Sequence, residues 1–74
     1  MTALRPIEVR KLVRVLESIG DRRVSQAGSH LKLRHADGRI LVVPIHAGNP
    51  IKVGLLRAIL RQADLTVDQF HLLR

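Results

Sequence analysis

The sequence holds no cysteine, no tryptophan and no tyrosine, and its only phenylalanine is Phe70. Without cysteine, no disulfide or thiolate–metal site can brace the fold, which fits a reducing compartment. Without aromatics, stacking on nucleobases is almost unavailable. Long apolar runs are missing too. The longest, Ile40 to Ile45, includes Pro44 and falls far short of the roughly 20 residues that span a bilayer. The N-terminus lacks the apolar stretch of about 7–15 residues that marks a secretory signal. The expectation is a soluble, cytoplasmic protein with no membrane partner. Repeats, low-complexity segments and linkers are absent as well.

Several catalytic classes fall away on the same grounds. No GxxxxGK[ST] run is present, so there is no P-loop nucleotide site. No nucleophile elbow surrounds Ser18, Ser25 or Ser29. The carboxylates Glu8, Glu17, Asp21, Asp37, Asp64 and Asp68 are scattered, whereas a two-metal nuclease needs several converging on ions about 3.5–4 Å apart. The histidines lack zinc-ligand spacing, with His30 and His35 expected on opposite faces of one strand. Neither a metal nor a cofactor is expected.

What remains is a small basic chain, expected to be one domain over residues 1–74. Apolar residues make up 46% of it, enough for one modest core. A domain of this size buries only about 60% of its unfolded surface, so stability is scarce and oligomer or partner formation would help. Thirteen basic residues against six acidic ones give a net charge of +7, and ten of the thirteen are arginine. The planar guanidinium fork suits phosphate. The excess points to nucleic acid or an acidic protein as partner, with a basic but inert surface as the plain alternative.

Residues 6–19 read as an amphipathic helix. Pro6 suits the first turn, Val9, Leu12, Val13, Leu16 and Ile19 share one face, and Gly20 ends it. Residues 22–26 read as a weak strand, and 27–29 as a turn. Residues 30–35 alternate, with Leu31 and Leu33 on one face and His30, Lys32 and Arg34 on the other. Asp37-Gly38 is a hairpin signal. Residues 39–45 are rich in β-branched side chains and read as a third strand, with Pro44 at an edge or end. Residues 46–50 form a loop whose Asn49 and Pro50 open a second helix with a stripe of Leu55, Leu56, Ile59, Leu60 and Ala63. Thr66 to Gln69 match a capping box and begin a short final helix. The order helix, three antiparallel strands, helix, short helix makes an α+β domain.

One position stands out chemically. His30 opens the second strand, follows Gly28 and Ser29, and shares a face with Lys32 and Arg34. Imidazole exchanges protons near neutral pH, and the cations can hold a phosphodiester. On spacing alone, His30 reads equally as a solvated surface residue. Ser29 suits the turn or a phosphate contact, and Gly28 suits backbone geometry. His35 reads as structural, His71 as a surface residue, and His46 as orienting its loop or touching phosphate, with the structural role favoured. Arg22, Arg23, Lys32, Arg34, Lys52, Arg57 and Arg61 are candidates for one phosphate-binding patch.

The series Gly28-Ser29-His30, then His35 with Asp37-Gly38, then Val43-Pro44 and His46, then Gly54-Leu55-Leu56-Arg57-Ala58-Ile59-Leu60-Arg61-Gln62-Ala63, resembles the HicA (YcfA-like) family of mRNA interferase toxins over roughly residues 7–70. The resemblance implies a fold like that of double-stranded RNA-binding domains. It implies mRNA cleavage by a single histidine without a metal, here His30. It also implies neutralisation by a HicB-type antitoxin that shields the catalytic surface. RNA and phosphate contact would fall to Lys32, Arg34, Arg22, Arg23 and Lys52, with Gly28 and Ser29 supplying the turn before His30. Members often carry aromatics after the first helix and on the second strand, where this chain has Asp21 or Arg22, and Leu33. RNA contact would therefore rest on charge and be sensitive to salt.

Two other classes stay open on the residues alone. A non-catalytic module would bind double-stranded RNA by shape and keep its affinity without His30. An interaction protein would bind an acidic partner and show no salt-dependent RNA affinity. The third strand bears on both. Helices on one face cover Ile40, Val42 and Pro44, or Leu41, Val43 and Ile45, but not both sets. The uncovered set is expected to dock the antitoxin or a second copy of the chain.

Overall fold

The computed structural model describes residues 3–46 and 48–74. Ala47 of the expected loop, and the first two residues of the expected domain, lie outside the described residues. The elements are α1 (Val9–Ser18), β1 (Arg22–Ala27), β2 (His30–Arg34), β3 (Ile40–Pro44), α2 (Val53–Gln62) and α3 (Val67–Leu73). The strands form one antiparallel sheet in the order β1-β2-β3, so the α+β arrangement read from the sequence holds.

Alternation in β2 and β3 builds the core. Leu31, Leu33, Leu41 and Val43 are buried and meet Leu12, Val13 and Leu16 of α1, Leu56, Ile59 and Leu60 of α2, and Phe70 of α3 in one apolar cluster. All helices thus lie on one face of the sheet. The opposite face is bare, with Ile40 and Val42 at 40% and 46% exposure. The smallest extent of the molecule is 16 Å, enough for one helix layer on one sheet and no third layer. Of the two apolar sets on the third strand, the helices take Leu41 and Val43. Pro44 ends edge strand β3, where a missing N–H costs no ladder bond.

The helix boundaries differ from the sequence reading in instructive ways. α1 begins at Val9, so Pro6 lies before it. Ile7 and Ile51 instead pair as a two-bond antiparallel bridge, with N–H to carbonyl distances of 3.0 and 2.7 Å. Both side chains are buried. That bridge holds Ile51 extended, so α2 starts later than Asn49-Pro50 would place it, with Lys52 at its N-cap. Leu55, expected in the buried stripe, is 39% exposed.

The helix ends follow capping rules. Gly20 at φ +106° carries the N–H to Glu17 bond, and Asp21 N–H returns to the Leu16 carbonyl, a Schellman closure. α2 ends likewise, with Asp64 at φ +59° in the position glycine usually fills. The Thr66–Gln69 capping box forms as expected, with bonds of 3.0 and 2.9 Å. Buried Val15 on α1 was not anticipated. It borders the same groove as Leu73, because α3 packs beside α1.

Both hairpins are tight. Ala27 and His30 pair across a two-residue Gly28-Ser29 turn in which Gly28 has φ +57°, the type II′ signature that favours glycine first. At the other end, Asp37 accepts from the Arg39 backbone N–H at 2.9 Å and pairs with the Arg39 guanidinium at 3.0 Å. These contacts, the backbone bond foremost, hold the Asp37 carboxyl below its usual range. A folded-state value below the unfolded one means that this turn's support is present above the ordinary carboxylate range. It fades as pH falls through the lowered one.

One-sided coverage is testable by truncation on either face. Leu33→Ala should cost about 2–5 kcal/mol, while Val42→Ala on the bare face should stay within about 0.5 kcal/mol. Urea unfolding of both variants checks this, and equal losses would contradict the layer assignment.

Candidate active site

β2 is the central strand, and its three outward residues, His30, Lys32 and Arg34, are all exposed. The antiparallel register gives each one lateral neighbours. Arg34 lies between Arg22 and Ile40, Lys32 between Ser25 and Val42, and His30 between Ala27 and Pro44. The bare face therefore carries a cationic column beside an apolar one. No carboxylate stands on any strand. Arg22 sits directly opposite Arg34, a like-charge pairing that costs stability unless an anion relieves it.

His30 is the first residue after the Gly28-Ser29 turn, so turn geometry fixes its backbone. The turn is tied down on the far side by an Ile45 N–H bond to the Ser29 carbonyl. The His30 ring has no bonding partner among the described residues, which leaves both nitrogens free for a ligand. Gly28 needs its positive φ, while a Cβ there would meet nothing within 4 Å. Its role is therefore conformation and clearance, not close packing.

The phosphate-binding set read from the sequence divides in space. Arg22, Lys32 and Arg34 share the bare face with His30. Arg23 does not. It pairs with buried Leu33, so its side chain leaves on the helix side, 3.5 Å from Glu17 of α1. Consecutive strand residues point oppositely, so Arg22 and Arg23 could never both join. A bulge between Arg23 and Ser25 then resets the alternation of β1. Arg57 and Arg61 are exposed on α2 in the helix layer. Lys52 lies at the His30 end of the sheet, where it borders a groove of about 390 Å³ together with Pro44 and His46.

His35 is separate from this site. Just past β2 and five residues from His30, about 16 Å at strand rise, its Nδ1 lies 3.2 Å from Oδ1 of Asp21. Asp21 is 4% exposed, and its second oxygen has no partner among the described residues. Gly20 makes room for the ring, because a Cβ there would sit 3.1 Å from His35 Cε1. The pair latches the end of α1 to the β2–β3 hairpin. Sequence reasoning had His35 as structural but missed Asp21. The available signal was a carboxylate at the position after the helix-ending glycine, where an apolar contact is customary. His71, expected at the surface, has a buried ring nitrogen and stacks near Phe70 with centroids 5.6 Å apart. Among the described residues, no three His, Asp or Glu side chains gather as metal ligands. No helix there is long and apolar enough to cross a membrane.

In comparison with known proteins, a family model described as the HicA toxin of bacterial toxin–antitoxin systems matches residues 9–65. That span holds α1, the whole sheet and α2. The comparison with individual curated proteins finds no match.

The latch and the His30 face should separate by mutation. Asp21→Ala strands the His35 ring and should cost about 1–3 kcal/mol, at roughly 4–8 °C in Tm per kcal/mol for a domain this small. Thermal melts read that loss. His30→Ala should leave Tm within about 2 °C, since an exposed side chain without partners contributes little.

Proposed function

The chain belongs to the HicA toxin family of bacterial toxin–antitoxin systems, and from that premise we propose that it is an endoribonuclease that cleaves mRNA with His30 and without a metal. The observation that carries the reading is the composition of the bare sheet face. A histidine with both ring nitrogens free stands in line with Lys32 and Arg34, beside Arg22, with no carboxylate on any strand. Such a surface suits a phosphodiester chain.

In this reading Lys32 and Arg34 hold non-bridging phosphate oxygens, and His30 takes the proton from the adjacent ribose 2′-OH. The freed oxygen attacks phosphorus and the bond to the 5′-oxygen breaks. The products are a 2′,3′-cyclic phosphate and a 5′-hydroxyl. Proton transfer of this kind supplies about 10²–10⁴-fold, a modest acceleration that suffices for a toxin acting on a limited pool of mRNA.

The partner in this reading is a HicB-type antitoxin seated on the same face. Ile40 and Val42 are exposed there, and an apolar patch among one-signed charges fits an acidic, partly apolar protein surface. A second copy of the chain fits less well, because it would set one cationic column against another.

Induced expression tests both halves. The wild type should arrest growth and deplete mRNA, while His30→Ala, equally folded, should be harmless. A toxic His30→Ala variant would remove His30 from the mechanism. If both proteins are harmless, a binding module is the better description. Val42→Asn should remain toxic in the presence of the antitoxin, because it breaks the apolar docking surface without setting a charge opposite Lys32. Full neutralisation of that variant would place the antitoxin elsewhere.

A further inference from the structure

Cleavage by 2′-OH attack needs two proton transfers, one off the 2′-oxygen and one onto the departing 5′-oxygen. His30 accounts for the first. One other imidazole follows shortly after β3, the strand that pairs with β2 at His30. The β2–β3 register pairs His30 with Pro44, and the Ile45 N–H bond to Ser29 carries the same register one rung further. His46 is the next residue. Continued past the strand, that register sets His46 across from Gly28; its side chain is exposed and borders the grooves at this end of the sheet, one with Pro44 and Lys52 and one with Glu8 and Arg10.

Four local features bear on its part in proton transfer. Diagonal cross-strand positions place Cβ atoms about 7–8 Å apart. From there two rings reach opposite oxygens of one phosphodiester through hydrogen bonds of about 2.6–3.2 Å. Gly28 leaves the cross-strand position without a side chain, and a Cβ there would meet nothing within 4 Å, so the space between the rings is open. His46 also borders the groove of about 390 Å³ that Pro44 and Lys52 line. Its own backbone is held by the Asn49 N–H, which donates to the His46 carbonyl at 2.9 Å.

We propose that His46 is the general acid of the reaction, paired with His30 as the base. The inference rests on the ribonuclease reading above and assigns the step that reading leaves open. The bond from O2′ to phosphorus forms as the bond from phosphorus to O5′ breaks. The O2′ proton passes to neutral His30 and the His46 imidazolium proton passes to O5′. The charge balances, and solvent restores both rings.

The test uses the purified full chain and two RNA oligonucleotides, identical but for a sulfur replacing the bridging 5′-oxygen at the bond the wild type cuts. A thiolate leaves without being protonated, so the sulfur substrate needs no general acid. His46→Ala and His46→Gln should cut ordinary RNA about 10²–10⁴-fold more slowly than the wild type and return to near its rate on the sulfur substrate. His30→Ala should be slow on both. A structural role for His46 predicts slow cutting of both substrates, and either that result or a His46→Ala rate within a few-fold of the wild type overturns the proposal. A wild type that cuts neither RNA overturns the ribonuclease reading itself, and this proposal with it.

Discussion

The arrangement depends on one constraint. Three strands supply two faces, and one layer of helices covers only one of them. Leu31, Leu33, Leu41 and Val43 claim the helices and are buried. Everything that alternates with them is left facing outward, and His30, Lys32 and Arg34 inherit the open side by parity alone. The same four residues that hold the fold together thus fix which side chains face outward. A one-residue slip in β2 would bury the cations and expose the leucines. The two tight hairpins, one with Gly28 at positive φ and one held by Asp37, keep that register from slipping.

Charge follows the same geometry. Several acidic residues are occupied away from the open face. Glu17 meets Arg23, Asp37 meets Arg39, and Asp21 meets His35. The open face keeps its cations unneutralised, with Arg22 set against Arg34. In a domain whose whole stability is on the order of 5–15 kcal/mol, such self-repulsion is tolerable but unfavourable. It becomes an asset when a polyanion or an acidic partner arrives. On the proposed reading RNA and antitoxin compete for one surface, which would link inhibition to substrate exclusion.

Much of this was legible in the sequence, and the failures have physical causes. Strict alternation from His30 to Arg34 announced both the strand and its polarity. Gly20 and the Thr66–Gln69 box announced helix ends because they act within one turn of chain. The start of α2 was misread because the Ile7–Ile51 bridge joins residues far apart in sequence and overrides the local signal of Asn49-Pro50. Arg23 was grouped with Arg22 by composition, although neighbouring strand residues face opposite ways and a bulge in β1 adds its own reset. The Asp21–His35 latch likewise spans fourteen residues. Long-range pairing, not propensity, decided each of these cases.

The most direct test of the account is the chemistry of the cut ends. Purified protein should convert a defined RNA into fragments ending in a 2′,3′-cyclic phosphate and a 5′-hydroxyl, read by mass spectrometry, with a 2′-deoxy sugar at the cut position abolishing the reaction. Fragments bearing a 5′-phosphate and a 3′-hydroxyl, or unimpaired cutting at the 2′-deoxy position, would mean that water is the nucleophile and that the bare histidine face does not act through the ribose.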